Sequence, residues 1–395
     1  MPRPEPVAIV GAGVTTPIGQ DVAAFWSALL TGTSGISPIE RFPVADLRVR
    51  RGGEIKTLTR IRDWGRVPDC RATRLLVSAA DELGAQAGLR PWPVDPARVA
   101  VVVGTALGGV DEWERAHGGD RRLKRLRGGL YDTPAHNLAR WLGAQGPVLT
   151  VSTACASGAT ALGLGADLLR QGMADAVVAG GFDPLCRFVM RGFDALRALT
   201  RDELRPFDRR RSGLLLGEAA ALVLLRRDAE AGPQRLGRLL GHASTGDGSH
   251  ISAPDPEGRG LERALGLAMD EAGVGPDDVD FVSAHGTGTV LNDRIETAVL
   301  KRVLGARARC IPINSIKPMM GHTMGAAATL EAIMCLLASR HGQIPPTRNL
   351  EEPDPACDLD FVPGQARALS PRISLSTSLG FGGQNAALVL EGARP

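Results

Sequence analysis

The chain has 395 residues, 44% of them hydrophobic and 23% charged, with a formal net charge of +3. That length and balance suit about two to three domain-sized units or one large duplicated one, and exclude a disordered chain or a small disulfide-stapled module. Near-neutrality and a single tyrosine also exclude whole-molecule steering onto nucleic acid and a base-stacking platform.

Met1 to Pro6 leads straight into the strand-like Val7-Ala-Ile-Val10 without a signal-peptide pattern, and the six cysteines form no CxxC pair. A reducing cytoplasm is the expected location. No apolar run approaches the ~20 residues needed to cross a bilayer, so no membrane association is expected. Gly11-Ala-Gly-Val-Thr-Thr16 follows a strand as a dinucleotide fingerprint would, but the third glycine is missing and Pro17 falls where the helix should be under way. Further strands are expected at 99–103, 148–152, 176–179, 221–225, 281–283, 310–313, 373–376 and 387–390, with helices between them, which is the pattern of an α/β fold. The helices after Cys155 and after His322 begin with runs of small residues. Glycine inside a helix costs roughly 1 kcal/mol relative to alanine, so both are expected to be buried centrally, with other elements pressed against their backbones. Residues 111–147 change character and include the basic run Asp120-Arg-Arg-Leu-Lys-Arg-Leu-Arg127, whose plainest reading is a solvated helix face.

The sequence repeats itself. Ala220-Ala-Leu-Val-Leu224 reappears as Ala386-Ala-Leu-Val-Leu390, Cys155-Ala-Ser-Gly-Ala159 aligns with His322-Thr-Met-Gly-Ala326, and Val103-Gly-Thr105 faces His285-Gly-Thr287. Two similar halves follow, 1–240 with the cysteine and an inserted basic segment between Leu107 and Val151, and 241–395 with both histidines.

Weak chemical signals are set aside first: the seven histidines form no HxxxH or HxH, no cysteine lies at ligand spacing from another, so no metal is expected, and no GxSxG elbow is present. Val151-Ser-Thr-Ala-Cys155-Ala-Ser-Gly158 is stronger, because a strand running into a tight turn places a thiol at a helix start, where free N–H groups and the helix dipole favour the nucleophilic thiolate. The other cysteines read as buried structural residues. His322 occupies the aligned turn of the second half, and His285 ends the strand Phe281-Val-Ser-Ala284. A pseudo-twofold axis would bring these strand ends together. Leu379-Gly-Phe-Gly-Gly383 supplies a flexible turn able to aim N–H groups at a developing oxyanion.

Taken together, Cys155 in STACASG, His285 in AHGTGT followed by Asn292-Asp293, Lys317 and His322 in KPMMGH, and Gly380–Gly383 in LGFGG resemble the elongating β-ketoacyl-acyl-carrier-protein synthases of type II fatty acid and polyketide synthesis, within the thiolase superfamily. The likeness spans essentially the whole chain. It implies a thiolase-like five-layered αβαβα fold of two duplicated halves. It also implies an acyltransferase that carries out decarboxylative Claisen condensation of an acyl group on Cys155 with malonyl carrier protein. By the same resemblance His285 and His322 hold the malonyl thioester carbonyl, Lys317 and Glu331 form a supporting charged pair, and the N–H groups of Cys155 and Phe381 form the oxyanion hole, with Phe381 as gate. Thr287, Thr289, Gly380 and Gly382 match positions along the phosphopantetheine channel, and Leu107 matches the wall of the acyl pocket. Arg197 matches a carrier-docking position, to which Arg121, Arg122, Lys124, Arg125 and Arg127 of the basic run are added. No cofactor is implied beyond the carrier's phosphopantetheine arm. The implied partners are acyl carrier protein and a second subunit, in a homodimer or a heterodimer with a chain-length-factor-like subunit. Thr377, Leu379, Gln384, Val290 and Ala219 depart from the family's usual residues around the gate and channel. Two other readings share the fold: a non-catalytic chain-length-determining subunit, which generally lacks the nucleophile, and a thiolase-like enzyme acting on coenzyme A thioesters, which characteristically uses a second cysteine as base.

Overall fold

The computed structural model describes residues 3–59, 67–87, 92–120, 122–232 and 235–393. In chain order the elements are β1 (Val7–Thr15), α1 (Val22–Leu30), β2 (Ile36–Pro38), β3 (Arg51–Gly53), α2 (Arg71–Ala87), β4 (Val99–Gly104), α3 (Val110–His117), α4 (Leu123–Gly128), α5 (Thr133–Leu142), β5 (Val148–Val151), α6 (Ser157–Arg170), β6 (Ala176–Asp183) and α7 (Arg187–Ala195). The second half continues with β7 (Ala219–Arg227), β8 (Gly237–Gly246), α8 (Arg259–Ala272), β9 (Phe281–Ser283), α9 (Val290–Leu304), β10 (Ile313–Asn314), α10 (Lys317–Met320), α11 (Ala327–His341), β11 (Gln343–Ile344), β12 (Arg367–Ala368), β13 (Ile373–Gly380) and β14 (Gln384–Gly392). The main sheet runs β10-β9-β13-β14-β8-β1-β7-β6-β4-β5.

That order is a palindrome of the duplication. From the ends inward β10 corresponds to β5, β9 to β4, β13 to β6, β14 to β7 and β8 to β1, and the parallel and antiparallel pairings match on the two sides. The halves join where Val7–Ile9 of β1 pair antiparallel with Gly237–Leu239 of β8. Helices α6 and α11 lie between the two five-stranded halves, since α6 packs on β4 and β6 but also on β8 and β14, and α11 on β13 and β14 but also on β6 and β7. With α2 and α5 outside the first half and α8 outside the second, the layers number five, as the resemblance implied.

Strand alternation explains the layering. On β7, Ala219, Ala221, Val223 and Leu225 face the central cluster, while Ala220, Leu222 and Leu224 face the outer one. On β14, Ala386, Leu388 and Leu390 point inward and Ala387 and Val389 outward. Both faces are dry, so these strands read as unbroken apolar runs. Helix α11 is buried on every side from Ala327 to Ser339, as a middle-layer helix must be. Helix α6 approaches β8 so closely that a Cβ on Gly163 would lie 2.3 Å from His242 Nδ1, which accounts for its small residues.

Four expectations need correction. Strand β1 runs straight through Gly11-Ala-Gly13, and a Cβ on Gly13 would lie 2.0 Å from the Ala79 carbonyl of α2, so that glycine serves helix-on-strand packing. Strand β10 covers only Ile313–Asn314, because a 3-10 turn over Gly305–Arg309 runs up to Cys310. Strand β8 was not foreseen, since its Gly, His and Ser residues lack the usual β-forming pattern, although burial alternates along it. It also contains residue 240, so a boundary drawn there cuts a strand whose pairing with β14 assigns it to the second half. The insertion between Leu107 and Val151 forms α3, α4 and α5. Among the described residues no helix is long and apolar enough to cross a membrane.

Candidate active site

Cys155 lies in a 3-10 turn, Ala154–Ala156, between the end of β5 and the start of α6. The turn is reached through Ala154 at φ 51°, a left-handed conformation that alanine rarely adopts. Ser157 steadies it by accepting from the Thr153 N–H at 2.9 Å and donating to the Ala154 carbonyl at 2.6 Å. Gly380 presses on the far side, where a Cβ would sit 3.1 Å from the Cys155 nitrogen. The expected thiolate is not the resting form. Burial pushes the Cys155 thiol up to about 12, outweighing Lys317 and the N–H groups of Phe381 and Cys155, all of which pull it down. The backbone N–H groups of Phe381 and Cys155 both lie close enough to the sulfur to favour its charged form.

Both histidines come from the second half. The His285 N–H, just past β9, donates to Glu296 Oε1 at 2.7 Å and to Thr377 Oγ1 at 3.1 Å, and the Gly286 N–H donates to Glu296 Oε2 at 2.9 Å. The His322 backbone is pinned to the 215–217 segment: its N–H donates to the Leu215 carbonyl at 2.7 Å and its carbonyl accepts from Gly217 at 3.0 Å. Among the described residues neither ring nitrogen of His322 has a hydrogen-bond partner, although both are buried. The two imidazoles stand edge to face with centroids 5.3 Å apart. Burial, reinforced by the charge of Lys317, holds both well below the ordinary 6.5, so they are neutral at physiological pH. Lys317 Nζ donates to Glu331 Oε1 at 2.6 Å in a fully buried pair. Burial lifts Glu331 to about 7 against the pull of Lys317.

Cys155, His285 and His322 share the wall of a cavity of about 320 Å³ with Thr287, Thr289, Arg197, Gly380, Phe381 and Gly382. The hydroxyls of Thr287 and Thr289 lie 3.0 Å apart there. On the other side of Cys155 and Phe381 lies a second, apolar cavity of about 200 Å³, walled by Ala106, Leu107, Val189, Phe193 and Met324 among others. Phe381 borders both cavities and packs edge to face on Phe193 at 5.2 Å.

The basic run does not act as a unit. Arg125 is only 6% exposed and binds Glu112 and Asp69 with Asp120, so it braces α4 against α3 and is withdrawn from any docking surface. Arg122 is exposed but paired with Asp120. Lys124 and Arg127 are exposed, and Arg121 lies outside the described residues. Arg197 is exposed at the mouth of the larger cavity, in a left-handed conformation at φ 54°.

Two buried acids, Glu296 and Asp183, went unnoticed in the sequence, and a third, Asp293, was named there only as part of a motif. Glu296 holds the His285 turn, as described. Asp293 accepts from Phe207 N–H at 2.8 Å and Gly288 N–H at 3.2 Å, and Asp183 ends β6 beneath the nucleophile turn. The i, i+4 spacing of Asn292 and Glu296 on α9 was the available signal for the second-half pair. Asp183 carried none.

Five αβαβα layers built from two like halves, with a cysteine and two buried histidines on one cavity between them, are the architecture of a thiolase-like acyltransferase. The comparisons with known proteins agree. Residues 4–231 match the model for the β-ketoacyl synthase N-terminal domain and residues 236–351 that for the C-terminal domain. The tetracenomycin polyketide synthase ketoacyl synthase alpha subunit of Streptomyces glaucescens is 40% identical, with 98% of this chain and 97% of that protein covered. The 3-oxoacyl-[acyl-carrier-protein] synthase 2 of Synechocystis sp. is 36% identical over the same shares. Among solved structures, the ishigamide ketosynthase/chain length factor superimposes with a TM-score of 0.91 at 34% identity, covering 98% of this chain and 99% of that one. The chain belongs to the β-ketoacyl synthase family.

Proposed function

We propose that this enzyme extends a carrier-bound acyl chain by decarboxylative condensation, with Cys155 as nucleophile and His285 and His322 as the decarboxylating pair. The observation that carries this reading is the convergence of all three side chains on one cavity, with both imidazoles neutral. Cys155 Sγ attacks the thioester carbonyl of an acyl carrier and the carrier thiol leaves. Because the resting thiol is protonated, its proton passes to a neutral imidazole as attack proceeds, and the N–H groups of Cys155 and Phe381 hold the oxyanion. The acyl chain enters the apolar cavity beside Leu107. Malonyl carrier then threads its arm past Thr287 and Thr289 in the larger cavity. One ring N–H of the neutral His322, together with one of His285, donates to the malonyl thioester oxygen while the C–C bond to the carboxylate breaks and carbon dioxide leaves. The resulting carbanion attacks the carbonyl of the Cys155 thioester, a new C–C bond forms as the C–S bond breaks, and the sulfur leaves as a thiolate that takes a proton from solvent. Lys317, held by Glu331, keeps positive charge near the thiol and disfavours protonation of the imidazoles.

Acyl carrier protein as partner is supported by the name of the Synechocystis relative, and a second subunit by the ketosynthase/chain length factor structure. The apolar cavity lies against α7, whose Phe188 is 59% exposed, and Trp113, Leu123, Leu130 and Tyr131 of the insertion are exposed as well. With the edge strand β5, this is the surface a second subunit would cover. Cys155 with its two N–H groups favours the catalytic reading over the chain-length-determining one.

The test is to incubate the enzyme with acyl carrier and malonyl carrier, with and without candidate partner subunits, and to follow carbon dioxide and the carrier-bound product by mass spectrometry. A β-ketoacyl carrier two carbons longer and an acyl adduct on Cys155 are expected. Product with Cys155 unmodified would overturn the mechanism.

A further inference from the structure

Asp183 is completely buried, yet it lies outside the catalytic steps just described. Its carboxylate takes four donors. Oδ1 accepts from the Thr105 hydroxyl at 2.6 Å and the Leu107 N–H at 2.9 Å, while Oδ2 accepts from the Ala106 N–H at 2.9 Å and the Gly325 N–H at 2.7 Å. Those donors belong to different walls of the apolar cavity. Ala106 and Leu107 line it from the loop after β4, and Gly325 follows Met324, which lines it from the second half. The third wall is α7, with Val189 and Phe193, which starts a short turn beyond Asp183 in the chain. Thr105 extends the network by accepting from the Gly108 N–H at 2.8 Å, closing the loop that presents Leu107. Met324, at φ 50°, needs outside support to hold its left-handed backbone.

We infer that Asp183 is a positioning residue whose carboxylate ties two walls of the apolar cavity together, just ahead in the chain of the α7 wall, and thereby sets acyl-chain selectivity. The inference rests on the reading of that cavity as the acyl site. Four donors leave the carboxylate no room for an amide: Asp183→Asn would place an N–H₂ against N–H donors on one side, releasing either the Thr105–Leu107 pair or the Ala106–Gly325 pair. A two-carbon acyl group asks little of the cavity, whereas an eight-carbon group depends on its walls. Asp183 also adds negative charge near the Cys155 thiol, so the neutral amide eases thiol ionisation.

The experiment measures the rate of Cys155 acylation by two-carbon and eight-carbon acyl carriers in wild type, Asp183→Asn and Thr105→Val. Midpoints of thermal unfolding and the pH dependence of Cys155 alkylation are recorded alongside. The eight- to two-carbon ratio should fall about tenfold or more in Asp183→Asn and severalfold in Thr105→Val, with the alkylation profile of Asp183→Asn moved to lower pH. Should Asp183→Asn fail to fold, Thr105→Val carries the same test. Equal losses for both donors in these variants would make Asp183 a purely structural residue and overturn the inference. No acylation of wild type by either donor would instead overturn the functional reading beneath it.

Discussion

The turn Thr153–Ala156 in the first half and the turn Thr323–Met324–Gly325–Ala326 in the second are the same piece of backbone. Each passes through one left-handed residue, Ala154 at φ 51° and Met324 at φ 50°, makes a 3-10 turn and enters a middle-layer helix. The counterpart of Cys155 is therefore Gly325, and the alignment of Cys155 with His322 drawn from sequence is out of register. One turn carries Cys155, the proposed nucleophile, and the other has no room for a side chain without a shift, because a Cβ on Gly325 would lie 2.7 Å from Thr105 Cα and 2.8 Å from Asp183 Oδ2. The second turn packs against the first half and spends its N–H on Asp183 to hold the acyl wall, while its own half contributes both histidines. On the proposed mechanism a duplicated scaffold divides one reaction between its copies, nucleophile on one side and decarboxylating pair on the other.

The largest effect should come from emptying the working turn. Cys155→Ala is expected to lower condensation by at least about 10³-fold without disturbing the fold, measured as product formation by mass spectrometry. Retained condensation would place the nucleophile elsewhere.

Next comes the contribution of the second half. His285→Ala and His322→Ala should each lower carbon dioxide release by about 10²–10³-fold, and should lower Cys155 acylation less. Because both imidazoles are held neutral in the folded protein, their ring signals followed by NMR should stay level between about pH 6 and 8, and a histidine inflection near 6.5 at either position would refute the neutral pair. The linkage has a definite sign: below about 6.5 the unfolded chain binds protons at these two positions that the folded chain does not, so their contribution to stability is present above that pH and lost as it falls.

The silent turn offers a smaller, structural test. Gly325→Ala should destabilise by about 1–3 kcal/mol through overpacking against Thr105, read from the midpoint of chemical denaturation. A neutral result would mean the two halves are less tightly joined at this point than the short contacts indicate. The smallest effect is expected at the surface, where Arg197→Glu should slow the carrier-dependent rate severalfold at low salt and less at high salt. Lys124→Glu and Arg127→Glu should add little, since Arg125 of the same run is already committed inside the protein.

Much of this was legible before any coordinates. Turns after strand ends singled out Cys155 and His285, which do share a cavity with His322; His322 was reached through an alignment with Cys155 that the structure puts out of register, and it follows the short helix α10 rather than a strand. The repeated Ala-Ala-Leu-Val-Leu segments identified β7 and β14 as counterparts, since strands buried on both faces leave unbroken apolar runs. Asp183, Glu296 and the fate of Arg125 were hidden, because their partners lie far along the chain and a carboxylate or guanidinium in sequence looks the same whether it is solvated or buried.

What the sequence by itself determined is the local pattern: an α/β duplication, a cysteine just past the end of a strand, and two histidines in the opposite half. Tertiary structure alone decided the state of those groups and which of them meet. Burial keeps Cys155 a thiol and both imidazoles neutral, because removing water penalises charge by more than the nearby Lys317 and N–H groups return to the sulfur. Packing of the two middle helices decided the register of the duplication, because the space beside Thr105 admits a glycine backbone and nothing larger.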